Sequence, residues 1–364
     1  MPDGVLAGED EPRAILVARN AAKQGSQSLE ASVRFHDMNF GITLSNRAVP
    51  LGLCSARDLL ALADAIEACP ALDSVWCGDA LFVNRRLDAV TLLAAVAGRT
   101  DRVLLGPACM GSFALRNPLV FAYEWASLDV LSNGRTRLVV CAGGGGSAAW
   151  QAESAALGIA PRERRQRMIE NIRVLRHLWT KDNEPFLGQF TSFSNVTLEP
   201  KPVQSPCPIW LATNAARLAS GQADSGGSEL ALTRVGEIAD GWMTHSVGPD
   251  GFKRSWDFIL RVGRENGRDV SRFDNVLYHH VNVNADKEEA LADSKKFLDL
   301  YYAADYSKAR LESWLTYGSP RECVEHIKRF KASGCRRITF RISTMGDATE
   351  QFRRLAEDVL PYVD

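Results

Sequence analysis

From Asn39 onward the chain repeats one pattern eight times: a short β-rich apolar run, then a longer segment of helical period. The runs fall at 40–44, 74–77, 103–109, 136–142, 209–212, 241–244, 275–283 and 336–342. Strands separated by helices cannot pair as tight hairpins. Each must return through a crossover, and that gives a parallel sheet. Right-handed crossovers throughout let eight such strands close into a (β/α)8, or TIM, barrel. An open doubly wound sheet is the runner-up. Its dinucleotide-binding form needs G-x-G-x-x-G after the first strand, whereas here that strand runs into Ser45-Asn46-Arg47. The predicted fold is therefore α/β, a TIM barrel with insertions.

Helix signals agree with this phasing. Ser55 with Asp58 three residues on reads as a capping box. Pro118 sits where a helix starts, and Gly134 where that helix stops. The stretches 183–208 and 284–317 break the rhythm and are predicted excursions, the first with a hairpin across 190–198. One domain is expected over 38–364. Residues 1–37 are polar, and Leu6 with Ile15-Leu16-Val17 is too little for a core. They read as a loosely ordered N-terminal extension, without the apolar core of a secretory signal.

Lys plus Arg number 43 and Asp plus Glu 44, so the net charge is −1. Phosphate-backbone binding needs a clustered positive excess, so nucleic acid is not an expected partner. The run Arg162, Arg164, Arg165, Arg167 is a local exception, and it reads as a solvated helix face. The 8 cysteines form no C-x-x-C pair and no Cys/His spacing typical of zinc, so no metal is expected. Unpaired cysteines suit a cytoplasmic location. No apolar stretch approaches the ~18 residues a membrane span requires.

In a barrel, chemistry collects where the strands end. The fourth run ends in Gly143-Gly144-Gly145-Gly146, backbone that lets a flat or anionic ligand approach with no Cβ in the way. A second such element, Ser225-Gly226-Gly227-Ser228, precedes a helix, with Ser228 as its expected N-cap. Other strand ends supply Asn46, Asp79, Ala108-Cys109, Ala212, His245 and Arg341. Asp79 is the expected proton shuttle or substrate anchor. Glu124 and Asp129 lie within a helix and are expected to make outer salt bridges.

Several short motifs, in this order and spacing, resemble the luciferase-like, flavin-dependent monooxygenase and oxidoreductase family from Met38 to the C-terminus. They are Asp73-Ser74-Val75-Trp76-Cys77-Gly78-Asp79, Leu128-Asp129-Val130-Leu131-Ser132-Asn133-Gly134-Arg135, the glycine run, and Gly188-Gln189-Phe190. Ala239-Asp240-Gly241-Trp242 and Gly318-Ser319-Pro320 with Gly334 complete the set. The resemblance implies a barrel that binds reduced FMN, or its deazaflavin relative F420, at the strands' C-terminal mouth. It places Gly226, Gly227 and Ser228 at the phosphate and Gly143 and Gly144 beside the ring. It places Ala108-Cys109 where several members carry a non-prolyl cis peptide. Ala212 ends a strand at the same mouth. Many members carry His after the strand-two Asp; here Ala80 stands there, which moves weight to Asp79 as catalytic residue.

The main functional expectation is an FMN-dependent monooxygenase. A separate flavin reductase supplies reduced FMN, and O2 oxidises a small organic substrate held by Asn46 and Arg341, with His245 as a second catalytic residue. The alternative is F420-dependent hydride transfer without oxygen. A further alternative is a flavin-binding protein without turnover. A phosphosugar isomerase or lyase would need a strand-end Lys or Glu, and none is well placed. By analogy with the family, the chain is expected to pair into a dimer, with the helix of Trp125 covering a partner.

Overall fold

The computed structural model describes residues 38–144, 147–214 and 227–363. Its strands, in chain order, are β1 Asn39–Leu44, β2 Ser74–Cys77, β3 Leu104–Pro107, β4 Leu138–Val140, β5 Phe186–Leu187 and β6 Ser192–Phe193. There follow β7 Ile209–Ala212, β8 Gly241–His245, β9 Asp274–Val283, β10 Leu315–Gly318 and β11 Arg337–Ile342. The main sheet runs β3-β2-β1-β11-β9-β8-β7-β4, and every pairing in it is parallel. Bridges Leu105↔Thr136 and Met110↔Val140 join β3 to β4 and complete the ring. The eight predicted strands thus form the predicted barrel.

Large and small residues alternate inside the ring. Trp76 of β2 and Trp210 of β7 are buried, with ring centroids 6.1 Å apart. Each needs a hole in the neighbouring strands. A Cβ at Gly106 would come within 2.6 Å of the Trp76 ring, and one at Gly241 within 2.7 Å of the Trp210 ring. A side chain at either position would collide with an indole it cannot displace at interior packing density. The indoles fill the barrel here, in a cluster with Val139, Met243, Val276, Tyr278 and Trp314. The outer faces of the strands bury Ile42, Val75, Leu105 and Phe340 in one core with helix residues such as Leu59, Ala63 and Ile66.

Local signals hold at the helix ends. Ser55 and Asp58 form the capping box of helix Ala56–Ala68. Asn133 and Gly134, at φ 54 and φ 78, turn the chain out of helix Pro118–Leu131. No helix among the described residues is long and apolar enough to cross a membrane.

Four expectations need correction. The second excursion holds helices Lys287–Tyr302 and Lys308–Glu312 and an extra strand, β10, parallel to the upper half of β9. The 10 residues of β9 outrun β8, so the exposed edge takes β10 as partner. The hairpin pairs Phe186–Leu187 with Ser192–Phe193, earlier in the chain than predicted. Asp129 makes no outer salt bridge: it is fully buried, accepting from Thr136 Oγ1 at 2.6 Å and from Gln204 N and Nε2 at 3.0 and 2.7 Å. Arg164 is no solvated residue either, as the site shows. The predicted extension at 1–37 lies outside the described residues.

Candidate active site

The C-terminal ends of the strands enclose a cavity of about 340 Å³. Gly78, Ala108, Cys109, Gly111, Cys141, Gly143, Gly144 and Ala212 line it with nothing larger than a thiol. Larger groups complete the wall: Arg86, Trp150, Met243, His245, Tyr278, Tyr302, Trp314 and Arg341.

The small-residue wall begins at the Ala108–Cys109 peptide, which is cis, as the resemblance implied. Cys109 Sγ donates to Cys141 Sγ at 2.8 Å, which pushes the Cys109 thiol up and the Cys141 thiol down. Gly143 has φ +71, and a Cβ there would stand 2.5 Å from Gly111 O. At Gly144 a Cβ would stand 2.5 Å from Trp150 Nε1. Both positions require glycine for space, and Gly143 also for its backbone conformation. Gly145, Gly146 and Gly226 lie outside the described residues. Helix Gly227–Ile238 starts one residue before Ser228, so Ser228 sits in the first turn and is not its cap.

Behind this wall lies a buried ion pair that pattern reading missed. Arg164 Nε donates to Ala142 O at 2.8 Å, Nη2 to Gly111 O at 3.1 Å and Nη1 to Ser154 Oγ at 2.9 Å. Its Nη1 is 3.7 Å from Glu153 Oε2. Glu153 Oε1 in turn accepts from the amides of Leu81, Phe82 and Val83 at 3.1, 2.9 and 3.2 Å. One ion pair thus fixes the loops after β2, β3 and β4 against each other.

Asp79 lines the cavity, but its carboxylate is occupied. Oδ2 accepts from Ser112 N at 2.7 Å, and Oδ1 lies 3.4 Å from Arg116 Nη2. Burial raises its pKa, and Arg116 opposes the rise. His245 ends β8 on the cavity wall; Nδ1 meets Ser246 Oγ at 2.8 Å, and the ring lies 5.4 Å from that of Trp314. Burial, helped by Arg310, pushes its pKa down to about 4. Asn46 does not reach the wall, which corrects its expected substrate role. It is buried behind the loop after β2, donating to Gly78 O at 2.8 Å and Leu87 O at 2.9 Å. Arg341 is buried and on the wall, its Nε donating to Tyr278 Oη at 2.7 Å. Tyr278 Oη is also 2.7 Å from Tyr302 Oη.

Ala108, Cys109, Gly143, Gly144, Ala212, Asp79, His245 and Arg341 therefore line one cavity. Arg86, Trp150, Tyr278, Tyr302 and Trp314 were missed. Trp150, just inside the helix after the glycine run, was a readable signal. Tyr302 and Trp314 come from the second excursion, where no periodicity pointed to them.

The family model for luciferase-like monooxygenases matches residues 38–337. The chain belongs to that family. This luciferase-like protein is 27% identical over 333 residues to an F420-dependent glucose-6-phosphate dehydrogenase of Amycolatopsis mediterranei, covering 84% of this chain and 94% of that enzyme. It is 25% identical over 308 residues to an FMNH2-dependent dimethylsulfone monooxygenase of Pseudomonas putida, covering 76% and 78%. Among solved structures, an F420-dependent secondary alcohol dehydrogenase in complex with an F420-acetone adduct superposes with TM-score 0.71 at 19% identity, over 90% of this chain and 99% of that one. That likeness is one of fold. As a luciferase-like protein, the chain is an oxidoreductase.

Proposed function

We propose that this oxidoreductase is F420-dependent and moves a hydride between the deazaflavin and the hydroxyl or carbonyl carbon of a small substrate. The observation that carries the reading is the match to F420-dependent glucose-6-phosphate dehydrogenase over 94% of that enzyme's length. This reverses the order expected from motifs, which put FMN first. The residues present fit a flat tricyclic ring: Ala108, Cys109, Gly143, Gly144 and Ala212 offer a wall with no side chain larger than a thiol. When bound, F420 accepts or gives the hydride.

The chain's own residues orient the substrate and handle the proton. His245 is neutral at neutral pH. Its Nδ1 is committed to Ser246, so Nε2 is the atom that takes the proton of a substrate hydroxyl. Asp79 holds Ser112 and Arg116, and so keeps the loop after β3 in place. Trp314 and Tyr302 close the cavity with aromatic surface, which excludes water from the reacting atoms.

The test is a parallel titration with F420 and with reduced FMN, followed by anaerobic assay with small alcohols. Saturable F420 binding and alcohol-linked F420 reduction without O2 are expected. The similarity to the dimethylsulfone monooxygenase supports a second reading, in which a separate reductase delivers reduced FMN. Binding of reduced FMN alone, with O2-dependent substrate oxidation, would overturn the F420 reading in its favour.

A further inference from the structure

Two guanidinium groups, Arg86 and Arg341, line the tyrosine-bearing part of the cavity, and a third, Arg47, is buried beside Tyr301 behind them. Arg341 is 1% exposed, and its hydrogen-bond partners are neutral hydroxyls: Tyr278 Oη at 2.7 Å and Ser45 Oγ at 3.4 Å. Its guanidinium lies 4.4 Å from the centroid of the Tyr301 ring. Arg86 lines the same cavity and packs against Gly78, where a Cβ would displace it. The bond from its Nε goes to Asn84 O at 3.1 Å, again a neutral acceptor. Arg47 is 8% exposed, and its Nε and Nη1 are buried with no hydrogen-bond partner. Its amide donates to Tyr301 Oη at 3.4 Å, which ties it to the ring under Arg341. Burial, and after it the charge of Arg86, push the Arg47 pKa down. Among the described residues, no carboxylate lies within ion-pair distance of Arg47, Arg86 or Arg341.

Such an arrangement is costly as it stands. A buried guanidinium needs an opposite charge or a full set of acceptors. Elsewhere in this chain the rule is kept: buried Arg164 has Glu153, and buried Arg337 has Asp73. The exception lies at the cavity, where a ligand can supply the missing charge. Guanidinium forks match the oxygens of phosphate and carboxylate in pairs.

We propose that Arg86 and Arg341, backed by Arg47, form the oxyanion-binding end of the substrate site, so that the substrate carries a phosphate or carboxylate group. The proposal rests on the oxidoreductase reading for the word substrate, but its binding chemistry is independent of which cofactor is used. An acidic cofactor tail is the other source of the same chemistry, and the experiment separates the two.

Calorimetric titration of the full chain with inorganic phosphate and with acetate is the test. Saturable binding of at least one anion is expected, weakened at least tenfold in Arg86→Met and in Arg341→Met. Arg86 is only half-buried, so Arg86→Met serves even where the buried substitution fails to fold. The deazaflavin chromophore without its acidic tail is then titrated into protein saturated with the anion, and intact F420 likewise. Undiminished affinity for both supports a substrate site. Loss of affinity for intact F420 alone assigns the arginines to the cofactor tail and overturns the proposal. Absence of saturable anion binding, or equal binding in Arg86→Met, also overturns it. Failure of both deazaflavins to bind while the anion does so overturns the cofactor reading and leaves this one standing.

Discussion

A methyl group added at Gly143 meets three obstacles at once. The backbone has φ +71, a Cβ would stand 2.5 Å from Gly111 O, and it would strike the Arg164 guanidinium. A side chain in a left-handed conformation costs on the order of 1 kcal/mol, and backbone contact adds more because the carbonyl cannot swing away. Gly143→Ala is expected to lower stability by about 2 kcal/mol and to weaken cofactor binding at least tenfold. Chemical denaturation and a fluorescence titration read the two effects; wild-type affinity would show that the loop is not part of the ring's wall. His245 carries a second residue-scale prediction. With its pKa held to about 4, the ring is neutral across the physiological range. Replacement by Asn is expected to lower kcat at least a hundredfold, with little change in cofactor affinity. Equal turnover in His245→Asn would remove His245 from proton transfer.

At the scale of elements, the pair Glu153–Arg164 joins helix Ala148–Ala156 and helix Arg164–Thr180 to the loops after three strands. Arg164→Leu leaves a buried carboxylate uncompensated, a loss of about 3–5 kcal/mol. The double variant with Glu153→Gln is expected to recover part of that loss, because the amide oxygen still accepts from the 81–83 amides. Urea unfolding of the single and double variants checks this, and strict additivity would show that the two side chains act separately. This pair also marks the limit of what pattern reading delivers. Eight strands were legible because each is an apolar run with its own turn signals, and the parallel ladder follows from their spacing. The glycine run was legible because backbone without side chains is rare and has few uses. Arg164 was not, because its acceptors lie 22 and 53 residues away and a run of arginines looks solvated from the sequence. Asp129 was hidden in the same way by Gln204, 75 residues on. β10 escaped because Leu315-Thr316-Tyr317-Gly318 is short, and its pairing depends on the overhang of β9. Tyr302 and Trp314 reach the cavity only through that same insertion.

On the scale of the whole molecule, the folded chain keeps four buried histidines neutral. Burial, aided by nearby guanidinium groups, pushes His245 down to about 4 and does the same to His326, where Arg329 and Lys287 contribute. His279 and His280 are held well below their ordinary range, His279 by burial and His326, His280 by burial and Arg341. All four have folded pKa values below the unfolded value of 6.5. The unfolded chain therefore binds more protons once the pH falls below about 6.5. Stability from these groups is complete above that value and is lost as the pH falls towards 4, at about 1.4 kcal/mol per pH unit for each proton. Carboxylates held low act in a different window: Glu322 and Glu350, pushed down to about 2, lose their contribution only below about 4.5. Between about pH 6.5 and 4.5 the loss is thus mainly histidine. His279 packs against Phe330 at 5.5 Å and His326 at 5.6 Å, so an apolar side chain fits its surroundings. His279→Leu is expected to shrink the fall in Tm between about pH 7 and pH 5, because one proton fewer is taken up on unfolding. Parallel Tm curves for the variant and the wild type over that interval would show that His279 is already charged in the fold, and the origin of the acid sensitivity would then lie in other groups.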